Sequence, residues 1–313
     1  MSTLPLVGRD EELAAIRDSW RRLVGSPQRA RVALLTGEPG AGKSRLVAEA
    51  VESLDPPPHR VLTGQARTHS PAPYDWTASA LSGRDLSGLD VPDDALAWLT
   101  QRPDLPPRRF TPQTLLRAAV DAVRGLLRDG PGVLVVEDLH DLDPASLDLV
   151  SELAAAHRLP ALLLITSHPP AEAPPLAARV LARVSGTPRA LRHHLHPLTR
   201  DQVATVLEGA GHATDAAAAY RSTNGNAYRL AELIATGPPA GDDAGLTARE
   251  REVIRCLAAG MTNQQAASAL GISVRTVTVH VSNLLRKTGA ASRTEAALWA
   301  VRHGLAPLSA HRG

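Results

Sequence analysis

The chain has 313 residues, of which 43% are hydrophobic, 21% are charged and 3% are aromatic, and its formal net charge is +2. This length suits two domains with proper cores, and the composition is that of an ordinary globular protein. We expect no membrane association, because no apolar run approaches the ~18 residues of a membrane span, and the single cysteine, Cys256, excludes an internal disulfide and fits a reducing cytoplasm.

The charge is distributed unevenly along the chain. Residues 246–313 contain 9 basic and 3 acidic side chains, a net charge of +6, whereas the preceding residues contain 25 basic and 29 acidic ones, a net charge of −4. Only two of the basic residues are lysines, Lys43 and Lys287. A small basic domain behind a mildly acidic one indicates that only the C-terminal part meets a polyanion.

The first predicted motif begins with a short apolar run at residues 31–36, which is typical of a buried parallel strand. A glycine-rich loop follows directly, and residues 44–54 have the apolar spacing of a helix. Strand, loop and helix in this order are the context in which the pattern GxxxxGKS/T binds nucleotide phosphates. Backbone N–H groups would surround the phosphates, Lys43 would reach the outer ones, and Ser44 would bind Mg²⁺. The predicted binding residues of this loop are Gly37, Glu38, Pro39, Gly40, Ala41, Gly42, Lys43 and Ser44.

A second predicted strand, residues 133–136, delivers two carboxylates, Glu137 and Asp138, to its C-terminal end. Behind a phosphate-binding loop, this pair indicates a Walker B site, in which one carboxylate holds Mg²⁺ and the other polarises the attacking water. We therefore predict that Glu137 and Asp138 are both metal-binding and catalytic. A third predicted strand, residues 161–165, leads to His168, where a side chain could sense the γ-phosphate of ATP.

Three segments resemble the AAA-type STAND NTPases. The opening LVGRDEEL is similar to their GRExEL entry, which implies that Gly8 and Arg9 lie by the adenine. The segment VLVVEDLHDLDPAS, from Val133, resembles their Walker B region, and TNGNAYRLAEL, from Thr223, resembles the GNPxxLxEL segment of their helical lid. The resemblance implies ATP and Mg²⁺ as cofactors.

Three departures from these motifs bear on activity. Glu137 stands where the family usually has Asp, His168 stands where it often has Arg, and Ala227 replaces the lid proline. A neutral imidazole stabilises the charge of a γ-phosphate less than a guanidinium does. We therefore expect ATP binding with weak or absent hydrolysis. His140, in the Walker B segment, has two open interpretations, a functional group or a packed loop histidine.

Beyond a linker at residues 236–245, the C-terminal part carries the cap residues of four short helices. Capping boxes begin at Thr247, Thr262 and Ser292, and Ser273 is a further N-cap. A tight turn joins the second and third helices, as in a helix-turn-helix. The glycines predicted to end the helices are Gly260, Gly271, Gly289 and Gly304.

The third of these helices, residues 273–288, has a predicted inner and outer face. An exposed valine, Val279, suits contact with thymine methyl groups, while Thr278 and Ser282 can bond base edges. The basic residues would contact phosphates. The apolar positions predicted to face inward are Val274, Val277, Val281, Leu284 and Leu285. The predicted DNA-binding residues are Arg275, Thr278, Val279, Ser282, Asn283, Arg286 and Lys287.

The same segment resembles the LuxR-type domain, which typically reads LTxREREVL followed by TVKxHVxNIxxKL. Here LTAREREV begins at Leu246 and TVTVHVSN at Thr276, with Thr278 in place of the usual Lys. Together with the NTPase motifs, the chain resembles the large ATP-binding LuxR-type regulators (the LAL family), without their long helical-repeat segment. In that family the fourth helix usually pairs two copies, which implies a homodimer or higher oligomer on double-stranded DNA.

We therefore predict an α/β P-loop NTPase, with a parallel sheet flanked by helices and a small helical lid, followed by an all-α four-helix LuxR-type domain. The predicted boundaries are 1–180 for the NTPase core, 181–237 for the lid, 238–245 for the linker and 246–313 for the DNA-binding domain. Three functions remain open at this point: a cytoplasmic transcription regulator whose DNA binding or assembly depends on ATP, a working NTPase addressed to DNA, and a DNA-binding regulator with a vestigial nucleotide site.

Overall fold

The computed structural model describes residues 5–67, 72–101, 110–187, 190–212, 214–236, 246–290, 292–302 and 305. The chain divides into two units, Met1–Leu198 with Asn226–Tyr228, and Thr199–Gly225 with Arg229–Gly313. Over the described ranges, no helix combines the length and the apolar character that a crossing of a lipid bilayer requires.

A parallel sheet of five strands forms the centre of the first unit. The strands are β1 (Arg31–Gly37), β2 (Arg60–Gly64), β3 (Gly132–Val136), β4 (Ala161–Ser167) and β5 (Leu191–Leu195). Their order across the sheet is β2-β3-β4-β1-β5. β3 and β4 are buried along their whole length, which their continuously apolar sequences allow. Because the carboxyl ends of parallel strands meet at one edge, the segments that follow β1, β4 and β3 lie side by side there.

Helices cover both faces of this sheet. Successive strand residues point to opposite faces, so that Leu34 packs in one core and its neighbour Leu35 in the other. The core of Leu35 includes α1 (Asp10–Gly25) and α2 (Lys43–Glu52). The core of Leu34 includes α3 (Asp75–Leu81), α4 (Asp93–Leu99), α5 (Pro112–Leu126), α6 (Pro144–Ala155) and α7 (Pro175–Ser185). The α/β fold predicted for this part of the chain is confirmed.

The first unit extends to Leu198, beyond residue 180, where the NTPase core was predicted to end. α7 spans that boundary and buries Val180 and Val184 in the sheet's core. β5 then pairs with β1 along residues 33–37. The sequence of β5, LRHHL, is too polar to show a strand pattern, because an edge strand keeps one side towards solvent.

The described part of the second unit is helical. Three lid helices come first, α8 (Arg200–Gly209), α9 (Ala216–Thr223) and α10 (Ala227–Thr236), and the first residues of α10 belong to the first unit. The C-terminal helices are α11 (Ala248–Ala258), α12 (Asn263–Leu270), α13 (Val274–Thr288) and α14 (Arg293–Arg302). Most of the predicted linker (residues 237–245) and the predicted stop at Gly304 lie outside the described residues.

Local caps set where the C-terminal helices begin. The hydroxyls of Thr247, Thr262, Ser273 and Ser292 each accept a hydrogen bond from the N–H three residues later. Gly271, between α12 and α13, has φ 65°, a left-handed conformation that favours glycine. The predicted helix-turn-helix is therefore confirmed.

The core of the C-terminal domain draws on all four of its helices. From α13 it takes Val277 and Leu284, which are fully buried, with Val281 and Leu285 packed against them. Val274 is an exception to the predicted inner face, since 45% of it is exposed. It is the first residue of α13, where no preceding turn of helix covers it.

Candidate functional site

The glycine-rich loop between β1 and α2 has the backbone of a phosphate-binding loop. Gly40 (φ 78°) and Gly42 (φ 94°) adopt left-handed conformations. α2 begins at Lys43, so the unpaired N–H groups of its first turn lie at the loop. Gly40 is also required for space, because a Cβ atom there would lie 2.5 Å from Oδ1 of Asn226.

Lys43 is buried at this loop. Its Nζ donates hydrogen bonds to the carbonyl oxygens of Gly37, at 2.9 Å, and Glu38, at 3.2 Å. Burial lowers the pKa of Lys43, while the carboxylates of Asp138 and Glu137 act in the opposite direction. The ammonium group is thus held at the mouth of the loop, in the electrostatic field of both predicted acidic residues.

Ser44 and Glu137 are brought together although 93 residues separate them in sequence. Oγ of Ser44 donates a hydrogen bond of 2.7 Å to Oε2 of Glu137. Oγ1 of Thr166, at the end of β4, lies 3.4 Å from the same carboxylate oxygen. Because β4 lies between β1 and β3, Thr166 stands between the loop and the acidic pair. Sequence reasoning missed it, although its position at the end of the third strand was a usable signal.

The donor set at this position fits Mg²⁺. A hydroxyl and a carboxylate are hard oxygen ligands, and Mg²⁺ is commonly held by one or two carboxylates with water and phosphate oxygens. Within the described ranges, no cluster of three or more His, Cys, Asp or Glu side chains could hold a metal ion alone. Ser44 and Glu137 would each offer one oxygen to a magnesium ion that is bound with a nucleotide.

Asp138 directly follows Glu137 and has an unusual backbone conformation. Its backbone is left-handed (φ 46°, ψ 57°), and its N–H donates a hydrogen bond of 2.9 Å to Oγ1 of Thr166. A 3-10 helix, Leu139–Asp141, follows at once. Such a backbone costs about 1–3 kcal/mol in a residue other than glycine, and such residues cluster at functional sites. The strained turn leaves Glu137 half-buried and Asp138 exposed, so the two carboxylates occupy different environments.

His140 and His168 form a stacked pair. Their ring centroids are 3.7 Å apart and their planes are inclined by 25°. The N–H of His168 donates to Nδ1 of His140 at 3.3 Å, and Nε2 of His140 lies 3.7 Å from Oδ2 of Asp141. Burial, with the nearby His140 and Lys43, lowers the pKa of His168, which favours its neutral form. His140 is thus packed against His168, and both interpretations of His140 stay open.

The Arg9 side chain makes several contacts within the first unit. Its Nη2 donates to the carbonyl oxygens of His196, at 2.6 Å, and Ala41, at 3.4 Å. Its Nη1 lies 3.7 Å from Oε1 of Glu12. The buried guanidinium of Arg9 thus links α1, the loop and the end of β5, and its contact with the cofactor stays a prediction. For Gly8, which has φ 67°, the contact stays a prediction.

Residues 226–228 contact the glycine-rich loop, which sequence reasoning did not foresee. Nδ2 of Asn226 donates to the carbonyl oxygen of Pro39 at 2.8 Å, and the N–H of Tyr228 donates to that of Gly40 at 3.0 Å. The signal available in the sequence was the segment TNGNAYRLAEL, which contains Asn226 and resembles the GNPxxLxEL segment of the helical lid. These bonds fix the outer side of the loop.

The outer face of α13 is confirmed as exposed, while the DNA contacts of its residues stay predictions. Its exposed members are Arg275, Thr278, Val279, Ser282 and Arg286, and Asn283 is half-buried. Oγ1 of Thr278 donates to the carbonyl oxygen of Val274 at 3.0 Å and lies 3.2 Å from Nδ2 of Asn263. Oγ of Ser282 donates to the carbonyl oxygen of Thr278 at 3.1 Å. Both hydroxyl protons are therefore already used within the domain.

Lys287 does not belong to this exposed face. Its Nζ donates a hydrogen bond of 2.5 Å to Oε2 of Glu250, and the two side chains are only 11% and 1% exposed. Burial raises the pKa of Glu250, but hydrogen bonds from Lys287 and from the backbone of Thr247 outweigh it and hold that pKa below its ordinary value. The prediction that Lys287 contacts DNA phosphates is wrong, because its ammonium neutralises a buried carboxylate.

Comparison with known proteins covers both parts of the chain. Residues 5–165 match the family described as "AAA ATPase domain", and residues 244–300 match "Bacterial regulatory proteins, luxR family". The chain is 52% identical over 60 residues to the "Uncharacterized transcriptional regulatory protein YhcZ" of Bacillus subtilis (strain 168), a match that covers 19% of this chain and 28% of that protein. It is 45% identical over 60 residues to the "Response regulator protein VraR" of Staphylococcus aureus, covering 19% and 29%. The chain thus spans less than a third of the length of either relative.

A solved structure of similar fold is that of the Aeropyrum pernix ORC1 protein in complex with DNA, with a TM-score of 0.53 and 15% sequence identity over 91% of this chain and 85% of that chain. This likeness concerns the fold alone. The family matches, the parallel sheet and the geometry of Lys43, Ser44 and Glu137 agree with one another. The chain belongs to the family of the AAA ATPase domain, and its C-terminal part is a domain of the luxR family of bacterial regulatory proteins.

Proposed function

We propose that the protein is a bacterial, cytoplasmic transcription regulator of the ATP-binding LuxR type, which binds Mg·ATP in its first unit and double-stranded DNA through α13. DNA binding, or assembly of a homodimer or higher oligomer on DNA, depends on nucleotide occupancy. The observation that carries the proposal is the presence on one chain of a phosphate-binding loop with Ser44 and Glu137 in contact and of a helix-turn-helix with an exposed outer face.

Different residues of the first unit would bind different parts of Mg·ATP. The loop's N–H groups and the first turn of α2 attract phosphate oxygens, and Lys43 contributes a buried positive charge. Ser44 and Glu137 orient oxygen ligands towards a divalent cation. Magnesium, when bound with the nucleotide, supplies charge neutralisation between the phosphates. Asp138, which is exposed, can polarise a water molecule.

A gel-shift experiment on an operator selected from randomised DNA tests the nucleotide dependence. Adding Mg·ATP is expected to change the affinity of the wild type for DNA by at least about fivefold, the lower range of allosteric coupling. Lys43→Ala should bind DNA but show no response to ATP. An equal response of both proteins would contradict the proposal, and ADP in a parallel lane separates a triphosphate effect from mere occupancy.

Hydrolysis is expected to be far slower than the ~10 s⁻¹ of a median enzyme. The motivation is His168, whose neutral imidazole lies at the end of β4. His168→Arg should raise the rate of phosphate release by at least about tenfold, because a permanent charge stabilises developing phosphate charge better. His157→Arg is the control, because His157 is exposed and precedes β4, at the amino ends of the strands. This variant should leave the rate of phosphate release unchanged. A wild-type rate near the median without any partner would refute this expectation.

A DNA-binding regulator with a vestigial nucleotide site is the second candidate. It is favoured by the hydrogen bonds of Lys43 to Gly37 and Glu38, which satisfy the ammonium group within the protein. Calorimetry separates the two, since a vestigial site predicts no heat of ATP binding and an unchanged gel shift. A working NTPase addressed to DNA predicts turnover that DNA stimulates.

A further inference from the structure

Two histidines lie together at the carboxyl end of β5. His194 belongs to the strand and His196 directly follows its last residue, so the alternation of side chains along the strand places both on one face. Their ring centroids are 4.7 Å apart and their planes are inclined by 72°. Both side chains are exposed, since β5 is an outer strand of the sheet. A ligand can therefore reach both imidazoles from solvent.

These two histidines are separate from the contact between Ser44 and Glu137. Glu137 directly follows β3, and β5 lies three strands away from β3 in the order β2-β3-β4-β1-β5. Neighbouring strands are spaced by about 4.8 Å, which puts about 14 Å between the two positions across the sheet. A ligand held by His194 and His196 would thus not compete for the oxygens of Ser44 and Glu137.

The hydroxyl of Thr36, on the neighbouring strand β1, sets the tautomer of His194. Oγ1 of Thr36 lies 3.4 Å from the carbonyl oxygen of His193 and 3.1 Å from Nδ1 of His194. A carbonyl only accepts and a hydroxyl has one proton, so both contacts are hydrogen bonds only if Thr36 donates to His193 and accepts from Nδ1–H of His194. Nε2 of His194 then carries the free lone pair. Histidines that bind metals have this arrangement, in which the second ring nitrogen donates to an oxygen.

We infer that His194 and His196 form a binding site for a divalent transition-metal ion, for which Zn²⁺ is the probe, and that Thr36 orients His194 in it. Imidazole is a favoured ligand of Zn²⁺, Cu²⁺ and Ni²⁺. Two imidazoles on one tetrahedral Zn²⁺, each with a Zn–N distance of about 2.0–2.1 Å, have ring centroids about 5 Å apart. The observed separation of 4.7 Å is close to that value. Water molecules would complete the coordination, so binding should be weaker than at a zinc site with four protein ligands.

The stacked rings of His140 and His168 offer a useful contrast. A metal ion binds in the plane of an imidazole ring, and these two planes are inclined by only 25° with centroids 3.7 Å apart. Two nearly parallel planes that lie one above the other do not meet at a shared ion. We therefore expect Zn²⁺ at His194 and His196 and not at His140 and His168.

Calorimetric titration of the full-length protein, free of any affinity tag, with zinc chloride tests the inference. Nucleotide and DNA are left out, so the result does not depend on the proposed function. His194→Ala and His196→Ala should each weaken Zn²⁺ binding by at least about tenfold, because a single remaining ligand cannot chelate the ion. His157→Ala removes an exposed histidine before β4 and is the control, with unchanged affinity expected. Thermal melts show that each variant is folded.

Variants of Thr36 test its role in orienting His194. Thr36→Val keeps the shape of the side chain and loses the hydroxyl, so it should weaken Zn²⁺ binding by about tenfold, as the loss of a hydrogen-bond partner of a metal ligand commonly does. Thr36→Ser keeps the hydroxyl and should bind Zn²⁺ like the wild type. Nitrogen-15 NMR of the histidine rings should show Zn²⁺ on Nε2 of His194.

Three outcomes would overturn the inference. The wild type could fail to bind Zn²⁺, or His194→Ala and His196→Ala could both bind it as tightly as the wild type. His168→Ala could instead be the variant that loses binding, which would place the ion at the stacked rings. Equal affinity of Thr36→Val and the wild type would show that Thr36 does not orient His194.

Discussion

Replacing Lys43 by alanine is expected to abolish measurable binding of Mg·ATP. The Lys43 ammonium is buried at the loop, where no water can replace its charge opposite the outer phosphates. Removing one partner of a desolvated charge pair costs about 2–5 kcal/mol, which corresponds to a loss of roughly 30-fold to several-thousand-fold in affinity. Isothermal titration calorimetry of both proteins with Mg·ATP measures the loss directly.

Arg21→Ala is the control for this experiment. Arg21 is an exposed cation on α1 of the same unit, 3.0 Å from Asp18, and its removal should leave ATP affinity unchanged. Thermal melts without nucleotide show whether Lys43→Ala is folded. Equal affinities of Lys43→Ala and the wild type would mean that the glycine loop is not the nucleotide site.

Replacing Glu250 by glutamine is expected to destabilise the C-terminal domain by about 3–5 kcal/mol, because Lys287 would keep its charge in a buried position without an anionic partner. For a small domain this is a large part of the total stability. Since the folded pKa of Glu250 is lowered, the contribution of the pair is present at neutral pH and is lost as the pH falls through that pKa. Hydrogen exchange of the α11 and α13 amides, followed by mass spectrometry, reports on this domain separately.

The matched control lies two residues further along α11. Glu252 pairs with Arg249, but these side chains are 43% and 35% exposed, so Glu252→Gln should cost no more than about 1 kcal/mol. The double variant Glu250→Leu with Lys287→Met should recover most of the loss, since apolar replacements remove both buried charges. If Glu250→Gln and Glu252→Gln behave alike, the Lys287 pair is not a buried structural contact.

Features coded by neighbouring residues were predictable from the sequence. β1, β3 and β4 follow from continuous apolar runs, and the first residues of the C-terminal helices follow from the hydroxyl residues that cap them. β5 was not foreseen, because Arg192, His193 and His194 interrupt its apolar pattern, and its role as the outer neighbour of β1 is a property of the assembled sheet.

The candidate site residues show the same contrast between what a local motif predicts and what only the assembled fold determines. Lys43, Ser44 and Glu137 are recognisable from short motifs, but the contact between Ser44 and Glu137 depends on strand order, which no local pattern encodes. Lys287 shows the opposite case. Its place near the end of a basic helix suggests a phosphate contact, while its actual partner, Glu250, lies 37 residues away on another helix. Helical periodicity predicts which side of a helix carries a side chain. It does not predict which residue of another helix that side chain contacts, because the contact depends on how the helices pack.

The sheet order also has a consequence for biosynthesis. β1 is hydrogen-bonded only to β4 and β5, which follow it by more than a hundred residues of chain. A ribosome that adds about 5–20 residues per second needs roughly 10–30 s after β1 to deliver both strands. During that interval the apolar run of β1 has no ladder partner, and a strand in that state is prone to pair with another nascent chain. The strand that leads into the glycine loop therefore gains its hydrogen-bonded neighbours late in synthesis. We expect the nascent chain to need a chaperone most before β4 leaves the ribosome.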